Sequence, residues 1–134
     1  MTSWIMPANP NAYDFKRAFS DNKYIHWHQC RNKYAVGDII YIYESKPHQF
    51  IQFKCLVEAI DLPNIIENED KYWHDIALKK KVLEDTKYIR ISILHTLEQG
   101  ISFEELKANG LKSAPQGAMK PQDGLKQYIE SCFG

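Results

Sequence analysis

Several things are scarce in this 134-residue chain, and each scarcity narrows what it can do. Its six glycines stand singly and nowhere form a cradle, so no phosphate-binding loop is expected. Its three cysteines, Cys30, Cys55 and Cys132, are odd in number and far apart, which argues against a disulfide framework and supplies no Cys-x-x-Cys metal pair. Reduced thiols and a cytoplasmic setting follow, since Met1-Thr2-Ser3-Trp4 runs straight into a folded-looking segment. No apolar run approaches the ~20 residues of a membrane helix, so no membrane partner is expected. Net charge is missing too: 17 Lys and Arg balance 17 Asp and Glu. A polyanion therefore feels no molecule-wide attraction, and a nucleic-acid role requires a local basic face or a specific pocket.

Aromatic residues are abundant instead: eight Tyr, six Phe and three Trp. They suit a β-rich core or a pocket for a flat ligand, and the length suits one domain spanning 1–134. The chain is organised around Ile39-Ile40-Tyr41-Ile42-Tyr43-Glu44-Ser45, which follows a Gly37-Asp38 turn and reads as a strand buried on both faces. After Lys46-Pro47-His48-Gln49, a second apolar run within 50–60 completes a β-hairpin, with 39–45 antiparallel to it. Ser3-Trp4-Ile5-Met6 predicts a first strand stopped by Pro7, and residues 24–29 a second. Phe15, Ala18 and Phe19 share one face of a short helix between them. Residues 88–95 give a further strand. Ser102 and Glu105 form a capping box for a helix that Gly110 ends, and Leu125, Tyr128 and Ile129 give a last helix its apolar face. The outline is a small, mostly antiparallel α+β barrel of about five or six strands with short peripheral helices.

Strand alternation places Trp27 and Gln29 on one face and His26, His28 and Cys30 on the other. The first pair fits either a base pocket or a core Trp beside an edge amide. The second offers three candidate metal ligands where a structural zinc site needs four, so no metal is expected. Same-face neighbours on a strand lie about 7 Å apart, too far for Cys30 and His28 to form a nucleophile–base pair. Without a paired-carboxylate arrangement either, catalysis has no support.

Trp4 and Trp27 in the first two strands, and Val36-Gly37-Asp38 leading into a strand that ends in Tyr43, resemble the EVE domain. EVE belongs to the PUA-like superfamily, as do the YTH readers. The opening Trp4-Ile5-Met6-Pro7-Ala8-Asn9-Pro10 and the tail Lys112-Ser113-Ala114-Pro115-Gln116-Gly117 are similar to a prokaryotic EVE-like subgroup. His26-Trp27-His28-Gln29-Cys30 departs from the pattern, since familiar EVE domains follow this Trp with small and amide residues.

The resemblance implies a PUA-like barrel whose pocket accepts a flipped or unpaired modified base, without catalysis or a cofactor. Modified cytosine in DNA is associated with the EVE group, methylated adenine in RNA with the YTH group. It implies stacking faces from Trp27, Trp4 and Tyr43 and edge contacts from Asn9, Gln29, Ser45 and Gln116. Lys46, Lys112 and Lys120 lie in loops beside those segments and would hold flanking phosphates. A separate effector protein fits this picture. The alternative is an interaction module on the same fold, with the aromatics in the core and no base pocket.

Overall fold

The computed structural model describes residues 1–63, 72 and 87–134. The acidic run Glu67-Asn68-Glu69-Asp70, and the segment around Ile76, Val82 and Leu83 whose apolar residues suggest a short helix, lie outside the described residues. Among the described residues five strands form one mixed sheet: β1 (Ser3–Ala8), β2 (Tyr24–His28), β3 (Ile39–Glu44), β4 (Phe50–Leu62) and β5 (Tyr88–Ser102). Among the described residues three helices accompany them: α1 (Phe15–Asp21), α2 (Phe103–Ala108) and α3 (Asp123–Phe133). The sheet order is β1-β3-β4-β5-β2, with β1 parallel to β3 and the other pairs antiparallel.

The expected hairpin is present, Ile39 pairing with Leu56 and Glu44 with Phe50. Every residue of β3 is buried. Ile40 and Ile42 enter one core with Phe15, Phe19, Trp27 and Phe53; Ile39, Tyr41 and Tyr43 enter a second with Leu106, Leu125 and Ile129. Helix α1 thus covers one face, and α2 and α3 cover the other. The central position in the sheet belongs to β4 rather than β3.

Two expectations need correction. The sheet is not closed into a barrel: β1 and β2 are its two edges, and no ladder joins them among the described residues. Pro7 does not stop β1, which continues to Ala8. An edge strand tolerates a residue without an N–H. The outer side of β1 is instead capped by one bridge, in which Ile5 N donates to Met119 O at 2.7 Å and Met119 N to Ile5 O at 2.9 Å.

The capping box at α2 takes a modified form. Ser102 Oγ accepts from Glu105 N at 3.1 Å and donates to Glu105 Oε1 at 3.3 Å, so the glutamate reaches the serine hydroxyl rather than its backbone. Register shifts recur along β4 and β5, as suits strands of 13 and 15 residues that must coil.

Gly100 in β5 lies under Phe50: a Cβ there would stand 2.6 Å from Phe50 Cγ and 2.9 Å from its Cβ. The ring can swing aside, but the Phe50 Cβ is fixed by the backbone. Gly100→Ala is therefore expected to cost roughly 1–3 kcal/mol of stability by overpacking. A variant with an unchanged unfolding midpoint in urea would contradict this contact.

Candidate functional site

A candidate site lies in the open seam between the two sheet edges. Met6 and Pro7 of β1 and Trp27 and His28 of β2 line a cavity of about 510 Å³. Loop residues Cys30, Arg31, Asn32 and Tyr34 form another wall, and Gln116, Gly117 and Ala118 close it beside the Met119 bridge. That volume falls in the range of small-ligand sites, about 300–1,000 Å³.

The loop 29–38 is held by its own polar groups rather than by a ladder. Asn32 donates to Gln29 O through both its backbone N and its Nδ2, at 3.3 and 3.1 Å. Asp38 accepts from Ala35 N at 2.9 Å, from Thr2 N at 3.0 Å and from the Trp4 indole at 3.0 Å. Tyr34 packs edge-on to Trp4, with ring centroids 4.9 Å apart. Burial, then the charge of Cys30, push the Tyr34 phenol well above its ordinary range, so it meets a ligand as a neutral hydroxyl.

Of the residues named from sequence, Trp27 and Gln116 meet in this cavity. Asn9, Tyr43, Ser45 and Lys46 line a neighbouring hollow of about 330 Å³, which shares Pro7 and Gln116 with it. Lys112 and Lys120 border a third hollow of about 480 Å³, again with Gln116. Gln116 is thus the meeting point of three hollows, and the 113–117 segment is a wall to each.

Trp4 and Gln29 sit elsewhere. The Trp4 ring carries Lys120 Nζ 5.1 Å from its centroid, and its indole N–H is spent on Asp38. Gln29 is buried and clamps the end of β4: its Oε1 accepts from Asp61 N at 2.9 Å, and its Nε2 donates to Asp61 Oδ1 at 3.2 Å. Both side chains are committed to holding the protein together.

One distance differs sharply from expectation. Cys30 Sγ lies 3.0 Å from His28 Nδ1. Strand alternation ends at His28, and Cys30 adopts left-handed backbone with φ 55°, which turns its side chain back toward the imidazole. The third histidine-face residue, His26, is buried and accepts from Arg90 Nε at 3.1 Å. Among the described residues no group of three or more His, Cys, Asp and Glu is placed to hold a metal ion.

Arg31, Asn32 and Tyr34, which also line the cavity, were not foreseen from sequence, and His28 and Cys30 were weighed there only as metal ligands or a nucleophile–base pair. The polar run Arg31-Asn32-Lys33 followed by a lone Tyr was the available signal, since an aromatic inside a polar loop must cover something.

No protein-family model matches the sequence, and no curated protein matches it. Solved structures do. The ASCH protein of Zymomonas mobilis superposes with a TM-score of 0.71 at 17% identity, covering 97% of this chain and 94% of that one. A hypothetical protein from Leishmania major gives 0.69 at 17% identity, with 98% and 93% covered. Human THYN1, solved in complex with DNA containing 5-methylcytosine, gives 0.68 at 14% identity, with 98% and 96% covered. At these identities the shared property is the fold: the chain has the fold of these proteins over nearly its whole length. Among the described residues no helix is long and apolar enough to cross a membrane.

Proposed function

We propose that this is an EVE-type PUA-like domain that binds a modified nucleobase, unpaired or flipped from a nucleic acid, without transforming it. The observation that carries the reading is the cavity in the β1–β2 seam. Trp27 and Tyr34 give it aromatic walls, Gln116, Asn32 and His28 give it polar groups for a base edge, and Arg31 stands at its border. A base reader needs this combination of stacking surface and edge contacts away from bulk water. Support also comes from the fold, since the similarly folded THYN1 was solved with methylated DNA.

Lys46, Lys112 and Lys120 border the adjoining hollows, where flanking phosphates would run. Affinity from such contacts carries no sequence information and weakens with salt. The alternative of a protein-interaction module is less well supported, because a concave aromatic cavity is not what a flat docking face requires.

The test is direct titration of the protein with short oligonucleotides, DNA and RNA. Each would carry one modified or unmodified base: 5-methylcytosine, 5-hydroxymethylcytosine or N6-methyladenine. At least tenfold preference for one modified base, lost in Gln116→Ala, is the expected result. Equal binding of every oligonucleotide, or none, would return the fold to the interaction reading.

A further inference from the structure

The contact between the Cys30 thiol and the His28 imidazole is a chemical feature that base binding does not require. Cys30 is exposed, and its Sγ sits 3.0 Å from His28 Nδ1 with both residues on the cavity wall. For Nδ1 to accept from the thiol, the imidazole must carry its own proton on Nε2. Arg31, next in sequence, lines the same cavity and adds positive charge where a thiolate would form. The other thiols differ in kind. Cys55 is fully buried, and burial pushes its thiol well above the ordinary range, while Cys132 is half-buried.

We propose that Cys30 is a thiol-modification site: with His28 taking its proton, it exchanges with small disulfides, and the mixed disulfide it forms occupies the cavity. The closing effect rests on the cavity being the base site proposed above; the exchange itself does not. In the exchange, the proton passes from Sγ to His28 Nδ1 and the thiolate attacks one sulfur of the incoming disulfide. A new sulfur–sulfur bond forms to Cys30 as the old one breaks. The departing thiolate then takes the proton from the imidazole. Cys30 is oxidised to a disulfide, half of the reagent is reduced to a thiol, and excess thiol reverses the step. A small-disulfide half fits the available ~510 Å³, and Arg31 suits one that carries carboxylates.

The experiment treats the reduced wild-type protein, Cys30→Ser, His28→Leu and His28→Gln with oxidised glutathione at neutral pH. Intact mass and peptide mapping follow the adducts with time. The first adduct is expected on Cys30, forming about five- to tenfold faster than any on Cys132, and it should slow by a similar factor in both His28 variants. A first adduct on Cys132, or Cys30 labelling at the wild-type rate in both His28 variants, would overturn the assignment. Two histidine variants are used so that a folding defect in one does not decide the question.

Oligonucleotide titration before and after treatment reads the closing effect. The wild-type adduct should bind at least tenfold more weakly than the reduced protein, whereas treatment should leave Cys30→Ser at its own untreated affinity. Unchanged binding by the adduct would refute closure. If the reduced protein binds none of the oligonucleotides, the base reading fails and closure with it, while the labelling rates still decide the chemistry of Cys30.

Discussion

Trp27→Ala is expected to destabilise the protein by about 3–5 kcal/mol, the range for deleting a buried aromatic. For a chain of this length that corresponds to roughly a 10–20 °C fall in the thermal midpoint. Trp27 is only 6% exposed, and its ring packs against Tyr13 at 5.1 Å and Phe15 at 5.2 Å between centroids. The same side chain also lines the cavity. Core residue and pocket wall are thus one role here, although from sequence they stood as alternatives. Loss of binding by a half-melted Trp27→Ala protein would therefore say nothing about stacking. Trp27→Phe separates the two: it keeps a ring in the core and reduces the surface offered to a base. Its midpoint should stay within a few degrees of wild type, while binding weakens by a part of the 1–3 kcal/mol that one base stack contributes, roughly threefold or more. Wild-type melting of Trp27→Ala would remove it from the core. Wild-type affinity of Trp27→Phe for a recognised oligonucleotide would remove it from the binding face.

How far the sequence could be read depended on how local the determining physics was. The β3–β4 hairpin, α1 and the Ser102 cap were legible because each rests on spacing within one segment. Barrel closure was not legible. Whether β1 and β2 meet is decided by the coiling of two long bulged strands and by Met119 occupying the outer side of Ile5. The site was read in part. Trp27 and Gln116 were named and line one cavity, but the alternation that grouped Trp27 with Gln29 holds only while the chain remains a strand. One left-handed residue, Cys30, ends it. Past that point the residues facing the cavity are set by loop hydrogen bonds among Gln29, Asn32, Ala35 and Asp38, which no periodicity reveals.

Asp38→Ala is expected to produce the other large effect, a loss of about 3–5 kcal/mol. Its buried carboxylate accepts three hydrogen bonds, from Thr2 N, Trp4 Nε1 and Ala35 N. Bonds to a charged acceptor contribute about 1.5–3 kcal/mol each, and the three share one partner, so their losses do not simply add. Because Asp38 ties the loop carrying Cys30, Arg31 and Tyr34 to β1, the variant should also bind more weakly than its lost stability alone explains. The pH dependence identifies the carboxylate as the cause. Burial pushes the Asp38 carboxyl upward, but the hydrogen bonds from Trp4, Thr2 and Ala35 outweigh it and hold the group below its ordinary range. The folded state therefore favours the ionised form. Its contribution is fully present above the unfolded value, about pH 4, and is lost as the pH falls through the lower folded value. Asp38→Asn cannot titrate, and its amide N–H₂ replaces one acceptor oxygen with a donor. Urea unfolding followed from neutral to acid pH should show the wild-type midpoint falling steeply at the acid end, with a shallower fall in Asp38→Asn. Two curves separated by a constant offset throughout that range would mean that Asp38 does not supply the acid sensitivity.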